Sequence, residues 1–168
     1  DPNIFKAFFL AGGPGSGKSF VVGKTTGGTG LKIVNSDDVF EKYLKDAGFE
    51  MDMTTSKAEL QQEPRDKLRD RAKVVTKMKQ DNYVDGRLGL VIDGTGADYD
   101  KIVRQSIGLK QLGYDTHMIY VNTSLDVALD RNSKRERKVS TSIATKSWKD
   151  VQSNLGKFSQ HFRRNMIV

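Results

Sequence analysis

Residues 12–19 have the residue types and spacing of a phosphate-binding loop. They read GGPGSGKS, in which Gly12 is followed by four residues and then by Gly17, Lys18 and Ser19. Glycines let successive backbone N–H groups converge on an anion, and a following helix adds the positive end of its dipole. Lys18 supplies a mobile cation, and the Ser19 hydroxyl is a suitable oxygen ligand for Mg²⁺. The residues expected to contact ATP are Gly13, Pro14, Gly15, Ser16, Gly17, Lys18 and Ser19, with Ser19 as the metal ligand.

The flanking sequence supports this interpretation over a simple glycine-rich turn. The apolar run Lys6–Ala11 precedes the loop and predicts a strand, while residues 20–22 continue as the first turns of a helix. A strand, a glycine-rich loop and a helix in this order form the context in which the pattern binds phosphate. We therefore expect nucleoside triphosphate binding.

Four further segments predict strands that alternate with helices. The segments are 31–34, 88–92, 116–121 and 166–168, and helical spacing of apolar residues lies between them, as in 65–80. Such alternation predicts an α/β fold with a central parallel sheet covered by helices on both faces. Ligands of such sheets bind beyond the carboxyl ends of the strands.

Polar clusters follow the second and third predicted strands, so they should face the same crevice as the loop. Asp37 and Asp38 follow the second strand, and Asp93 and Thr95 follow the third. A carboxylate beside a triphosphate can accept the proton of an attacking hydroxyl, and Asp37 is well placed for this role. Asp38, Asp93 and Thr95 are candidate substrate contacts, and Asp93 could alternatively hold Mg²⁺ through water. The structural alternatives are that Asp37 or Asp38 caps the next helix and that Asp93 is a turn residue.

A dense basic stretch near the end of a predicted helix has the composition of a catalytic lid. Arg131, Arg135 and Arg137 lie there, and arginines on a closing segment can stabilise a phosphoryl group during transfer. Arg131 and Arg135 would share a face if the helix continued through both. The alternative is a solvated basic face or a patch that contacts nucleic acid.

Composition limits the class of protein. The chain has 168 residues, which predicts one domain over 1–168, and it carries 28 Lys and Arg against 21 Asp and Glu, a net charge of +7. The positive charge favours an anionic partner, either nucleotide or nucleic acid. Without cysteine there are no disulfides, and no apolar run approaches the length of a membrane span. We expect a cytoplasmic protein that does not associate with membranes.

Three segments resemble known phosphate-loop kinases. The loop, the segment NSDD at 35–38 and the segment RNSKR at 131–135 followed by Val139 resemble the 5′-hydroxyl kinase domain of phage-type polynucleotide kinases. The segment LVIDGTG at 90–96, together with LGYDT at 112–116, is also similar to zeta-toxin kinases. The resemblance implies a three-layer P-loop NTPase fold of the kinase type with a basic lid at about 131–141. If the chain is phage-encoded, its expected location is the cytoplasm of the host cell.

The resemblance also implies residue roles and two candidate acceptors. Lys18 would bind the β- and γ-phosphates of ATP, Asp37 would be the general base, and Arg131 and Arg135 would stabilise the transferred phosphoryl. Asp93 would lie in the acceptor site. Polynucleotide kinases usually have an arginine where this chain has Phe40, and zeta toxins tend to have one where it has Ala97. The preferred acceptor is the 5′-hydroxyl of a nucleic acid; the alternatives are a small molecule such as a nucleotide sugar, or a nucleotide-dependent binding module without catalysis.

Overall fold

A parallel sheet organises the protein, for which a computed structural model describes residues 5–168. In this part of the chain the sheet order is β2-β3-β1-β4-β5, and every neighbouring pair is parallel. The strands are β1 (Lys6–Ala11), β2 (Lys32–Val34), β3 (Leu90–Ile92), β4 (Asp115–Tyr120) and β5 (Met166–Ile167). The predicted parallel sheet is confirmed, with the long strand β1 at its centre and the other long strand, β4, beside it.

Helices connect the strands, as the alternating pattern predicts. They are α1 (Lys18–Thr26), α2 (Ser36–Asp46), α3 (Ser56–Leu60), α4 (Gln62–Asp85), α5 (Tyr99–Gln111), α6 (Leu125–Ser133) and α7 (Thr141–Phe162), with a 3₁₀ turn at Arg163–Asn165. Helix α4 is longer than the predicted span 65–80. It continues to Asp85 because Tyr83 and Val84, near its end, pack against the main core.

Apolar side chains on both faces of the sheet produce three layers. On one face, Phe9 of β1 belongs to a large core with Ile102 of α5 and Phe158 of α7. On the other face, Leu10 of β1 packs with Val22 of α1. Successive strand residues point to opposite faces, so β1 contributes to both cores, and four of its six residues are buried. Helices α2 and α4 form a smaller cluster around Phe40, Leu44 and Ala72.

The carboxyl ends of β1, β2 and β3 are joined by backbone hydrogen bonds. The Gly12 N–H donates to the Thr95 carbonyl at 2.7 Å, and the Asp93 N–H donates to the Val34 carbonyl at 2.9 Å. These bonds bring together the segments that follow the three strands. The predicted convergence of the polar clusters at one edge of the sheet is therefore present.

None of the helices within residues 5–168 combines the length and the hydrophobicity required to cross a membrane.

Candidate active site

The phosphate loop presents the uncapped N-terminus of α1 to the cleft. Gly17 precedes α1 in a left-handed conformation, and no side chain accepts a hydrogen bond from the first-turn N–H groups. The first turn contains no acidic residue. Several other helices have side-chain caps at their starts, for example Asp98 on α5 and Ser140 on α7. Free amide hydrogens and a positive dipole make the start of α1 suitable for a phosphate.

Gly15 is the loop position with the strictest steric requirement. Its φ of 77° favours glycine, and a Cβ there would collide with the Ala128 carbonyl of α6. The packing of α6 against the loop thus depends on the absence of a side chain. Gly13 is buried beside Ser147 and Trp148 of α7, and Pro14 is half-buried.

We expect Gly15→Ala to weaken ATP binding at least about tenfold, because the loop must shift to relieve strain and overlap. Equilibrium binding of a non-hydrolysable ATP analogue measures the effect. Gly23→Ala is the matched control, since a Cβ at Gly23 in α1 meets nothing within 4 Å and alanine favours a helix. Equal affinity of the Gly15→Ala variant and the wild type would contradict this account of the loop.

Lys18 lies between the loop and the end of β3. Its Nζ donates to Asp93 Oδ1 at 3.1 Å and to the Gly94 carbonyl at 2.8 Å. Both side chains are largely buried, with 16% of Lys18 and 9% of Asp93 exposed. An ammonium held at this point can contact the phosphates of a nucleotide bound in the loop.

Asn35 links Asp93 to the start of α2. Its amide Nδ2 donates to Asp93 Oδ2 at 3.1 Å, while its Oδ1 accepts the Asp37 N–H at 2.9 Å. Asn35 is thus the N-cap of α2, and the alternative that Asp37 or Asp38 caps this helix is wrong. A continuous set of contacts runs from Lys18 through Asp93 and Asn35 to the backbone of Asp37. The backbone of Asp37 consequently lies at the same edge of the sheet as the phosphate loop.

Asp38 lies among other carboxylates. Its pKa is raised, first because partial loss of water disfavours the charged form, and next because Asp93, Glu41 and Asp37 carry like charges; the Arg137 guanidinium opposes them. Much of the Asp38 surface remains exposed, which limits how far desolvation can raise its pKa.

Thr95 follows Asp93 and Gly94, and its Oγ1 accepts the Ala97 N–H at 3.3 Å, so it shapes the turn after β3.

Arg131 contacts the phosphate loop directly. Its Nη1 donates to the Ser16 carbonyl at 3.2 Å, and the Thr123 hydroxyl donates to the same oxygen at 2.8 Å. A Cβ on Gly17 would lie 3.1 Å from Arg131 Nη1. The guanidinium is therefore close to the place where the loop would hold phosphate.

The predicted lid is a loop rather than a continuation of α6. The helix ends at Ser133, and the buried Asn132 donates through Nδ2 to the Val139 carbonyl at 2.8 Å, which closes the intervening turn. Arg131 and Arg135 consequently do not share a helical face. Arg135 lines a surface cavity with Glu50, Met51 and Asp52.

Arg137 is the lid arginine that reaches the predicted base. Its Nη2 lies 3.4 Å from Asp37 Oδ1, and its Nε donates to Glu41 Oε1 at 2.8 Å. Only 11% of the Arg137 side chain is exposed. The sequence shows Arg137 only as a member of the basic stretch, because the fold of the turn decides which arginine faces α2.

Phe40 occupies the position at which polynucleotide kinases usually have an arginine. Its side chain is 1% exposed and packs between α2 and α4, so it belongs to the core rather than the site surface. Two guanidinium groups lie near its ring: Arg69 at 4.4 Å and Arg137 at 5.7 Å from the ring centroid. Two guanidinium groups thus lie beside the position at which the pattern has an arginine.

The loop residues fit an ATP phosphate group and one magnesium ligand. Ser16 Oγ is buried and lacks a hydrogen-bond partner, and Ser19 is exposed in the first turn of α1. Within residues 5–168 no cluster of three His, Cys, Asp or Glu could hold a metal ion. A Mg²⁺ ion here would be held by Ser19, the nucleotide phosphates and the several waters that this ion usually keeps.

Solved structures with the same fold include an RNA repair complex, a toxin-antitoxin system and a protein bound to ATP. The Pnkp1/Rnl/Hen1 RNA repair complex has a TM-score of 0.67 and 17% identity, over 93% of this chain and 47% of that chain. The PezAT toxin-antitoxin system of Streptococcus pneumoniae has a TM-score of 0.53 and 20% identity, over 76% and 51%. AvrRxo1-ORF1 with ORF2 and ATP has a TM-score of 0.61 and 17% identity, over 94% and 50%. This chain spans about half the length of each of these proteins, and the likeness shows the fold alone.

No curated protein matches the sequence. The AAA domain family matches residues 8–158, which include the phosphate loop, the Asp37 and Asp93 segments and the lid. The chain therefore belongs to the AAA domain family and has the phosphate-loop fold found in kinases.

Proposed function

We propose that this protein is an ATP- and Mg²⁺-dependent phosphotransferase that moves the γ-phosphate of ATP to the 5′-hydroxyl of a nucleic acid. The proposal depends chiefly on the contacts from Lys18 through Asp93 and Asn35 to Asp37. They bring a phosphate-binding loop and a candidate base to one edge of the sheet. Transfer to a hydroxyl requires these two elements side by side.

The residues of this chain have separate roles in the proposed reaction. Loop amides and Lys18 hold the β- and γ-phosphates, and Asp37 accepts the proton of the acceptor hydroxyl. The hydroxyl oxygen forms a bond to the γ-phosphorus, while the bond from that phosphorus to the bridging oxygen of ADP breaks. Bound Mg²⁺ supplies positive charge to the phosphates, with Ser19 as its protein ligand.

Two lid arginines complete the proposed site. Arg131 stabilises the transferred group from its position beside the loop. Arg135 lines the cavity near residues 50–52, so its proposed role requires the lid turn to move towards the loop during catalysis.

Several observations support a nucleic acid acceptor. The lid and NSDD segments resemble polynucleotide kinases, the chain carries a net charge of +7, and the fold occurs in an RNA repair complex. The alternative acceptor is a nucleotide sugar, which the resemblance of residues 90–96 to zeta-toxin kinases favours. A nucleotide-dependent binding module would need the loop but not the Asp37 carboxylate.

The direct test offers ATP with a labelled γ-phosphate to purified protein and a panel of acceptors. We expect label on a 5′-hydroxyl oligonucleotide and none on the same oligonucleotide with a 5′-phosphate. Label on UDP sugars alone would show that the acceptor is a nucleotide sugar and not a nucleic acid. Absence of transfer to every acceptor, with normal ATP binding, would refute the kinase proposal.

Arg137→Gln tests the contact between the lid and the base. We expect a fall of roughly tenfold in kcat/KM for the acceptor with unchanged affinity for ATP, because the Asp37 carboxylate loses a partner that orients it. Lys45→Gln is the control, since it removes only the exposed Lys45–Glu136 pair at 3.2 Å between α2 and the lid. Unchanged or increased activity in Arg137→Gln would show that this contact does not assist the base.

A further inference from the structure

A groove between α4 and α5 opens beside the candidate site and has no role in the function argued above. Its volume is about 500 Å³, within the usual range for a small-molecule site. Phe9, Val34, Ile92 and Ile102 contribute apolar surface at its base. Helices α4 and α5 form its walls, and we refer to it as the α4–α5 groove.

The two walls present mostly polar residues in matching helical patterns. Helix α4 contributes Lys73, Thr76, Lys77 and Gln80, and the other wall consists of Asp98, the N-cap of α5, with Lys101, the apolar Ile102 and Gln105 of α5. Both sets have the spacing i, i+3, i+4 and i+7, which places each set on one face of its helix. Two helices that turned apolar faces to each other would close this space. Polar faces leave it open to water and to a ligand.

Part of the polar lining is without protein partners. Among the residues that the structure describes, the ammonium groups of Lys73 and Lys101 form no ion pair, and the amides of Gln80 and Gln105 form no hydrogen bond. Some exposed lysines of these helices and of α7 pair with acids four residues away, as Lys67 does with Glu63 at 3.3 Å. Lys77 likewise pairs with Asp81 at 3.2 Å. The groove therefore holds cations and amides available to a ligand.

The groove meets the candidate site on the acceptor side. Ser36, Asp93, Gly94 and Thr95 line its end, but no residue of the phosphate loop does. Asp93 and Gly94 contact Lys18 from this direction. A molecule in the groove can thus bring a hydroxyl towards Lys18 and Asp37 while ATP occupies the loop.

We infer that the α4–α5 groove binds the phosphate-bearing nucleoside part of the acceptor. Lys73 and Lys101 pair with its phosphate, Gln80 and Gln105 hydrogen-bond to its base or sugar, and the apolar base of the groove covers a ring face. This inference rests on the proposed phosphoryl transfer and narrows it, because a nucleotide unit is required and a simple sugar or polyol would leave both lysines unpaired. The nucleotide unit could come from a polynucleotide end or from a nucleotide sugar.

The test compares the variant Lys73→Gln/Lys101→Gln with Lys67→Gln/Lys146→Gln, which removes the same charge from exposed positions outside the groove. The acceptors are a 5′-hydroxyl oligonucleotide, adenosine 3′-monophosphate, adenosine and UDP sugars. In the groove variant we expect KM to rise at least about tenfold for phosphate-bearing acceptors and less than about twofold for adenosine and ATP. The control variant should retain the KM values of the wild type for all acceptors and for ATP.

Equilibrium binding separates failure of the groove from failure of the kinase proposal. Fluorescence anisotropy of a labelled oligonucleotide, and competition by UDP sugars, report on the groove without turnover. Each phosphate of a single strand that the protein neutralises contributes about 0.7 to the slope of log K against log salt. Because both lysines pair with one phosphate, the groove variant should have a slope smaller by about 0.7.

The possible results test the groove and the kinase proposal separately. Weakened binding or raised KM for the oligonucleotide supports the groove with a polynucleotide end, and the same effect for UDP sugars alone supports it with a nucleotide sugar. Lysine-dependent binding without any transfer would retain the groove and refute the kinase proposal. Transfer with constants equal in the two variants, or preference for adenosine over its 3′-monophosphate, would overturn the groove and leave the kinase proposal intact.

Discussion

Lys18→Ala lowers kcat/KM for phosphoryl transfer by about 100-fold or more while the protein remains folded. We expect this because Lys18 is the loop cation placed to contact both the phosphates of ATP and the group being transferred, and loss of one such donor costs about 10²–10³ in rate. The measurement is transfer from labelled ATP to the best acceptor of the panel, together with the thermal unfolding midpoint.

The structural cost of this change should be limited. Without Lys18, the buried Asp93 carboxylate loses an ion pair but retains the Asn35 amide at 3.1 Å. A loss of about 1–3 kcal/mol corresponds to a drop of roughly 2–12 °C in Tm. Lys24→Ala, which removes an exposed lysine from the end of the same helix, is the control and should keep activity within about twofold of the wild type.

Two results would contradict this prediction in different ways. An unfolded Lys18→Ala protein would mean that the Lys18–Asp93 contact is chiefly structural. A folded variant with wild-type turnover would mean that Lys18 does not act on phosphate.

Asp37→Asn should reduce kcat about 100-fold or more and leave ATP affinity unchanged. Asparagine has nearly the same shape but cannot accept the hydroxyl proton, and general base catalysis contributes about 10²–10⁴ to rate. Single-turnover transfer with ATP in excess measures the chemical step, and binding of a non-hydrolysable analogue measures affinity.

Two neighbouring carboxylates provide controls for the Asp37 assignment. Glu41→Gln removes the negative charge that lies 2.8 Å from Arg137 Nε but not the candidate base, so it separates proton acceptance from positioning of the arginine. We expect Glu41→Gln to reduce kcat by less than about tenfold. Asp38→Asn tests the adjacent carboxyl, whose raised pKa also suits a proton acceptor. If Asp38→Asn abolished transfer and Asp37→Asn did not, the base would be Asp38.

Only folding could establish the side-chain contacts around the predicted site. Asn35 was recognised as part of a similar segment, but its bond to Asp93 joins residues 58 positions apart. The contacts of the lid are likewise not predictable from the sequence. Asn132 closes a turn at the end of α6, and in this turn Arg137, rather than Arg135, lies beside Asp37. The pattern of arginines does not reveal this. The two guanidinium groups near the Phe40 ring, those of Arg69 and Arg137, likewise come from segments distant from Phe40 in sequence.

The sequence by itself determined the phosphate loop, the parallel sheet and the edge at which the polar clusters meet. The loop is predictable because its amides, Lys18 and Ser19 lie within eight consecutive residues, and strand topology then assigns Asp37 and Asp93 to one crevice. Tertiary structure alone decided the partners of each carboxylate and opened the α4–α5 groove. Those features arise where side chains distant in sequence pack or fail to pack, and periodicity within one helix cannot show which face its neighbour presents.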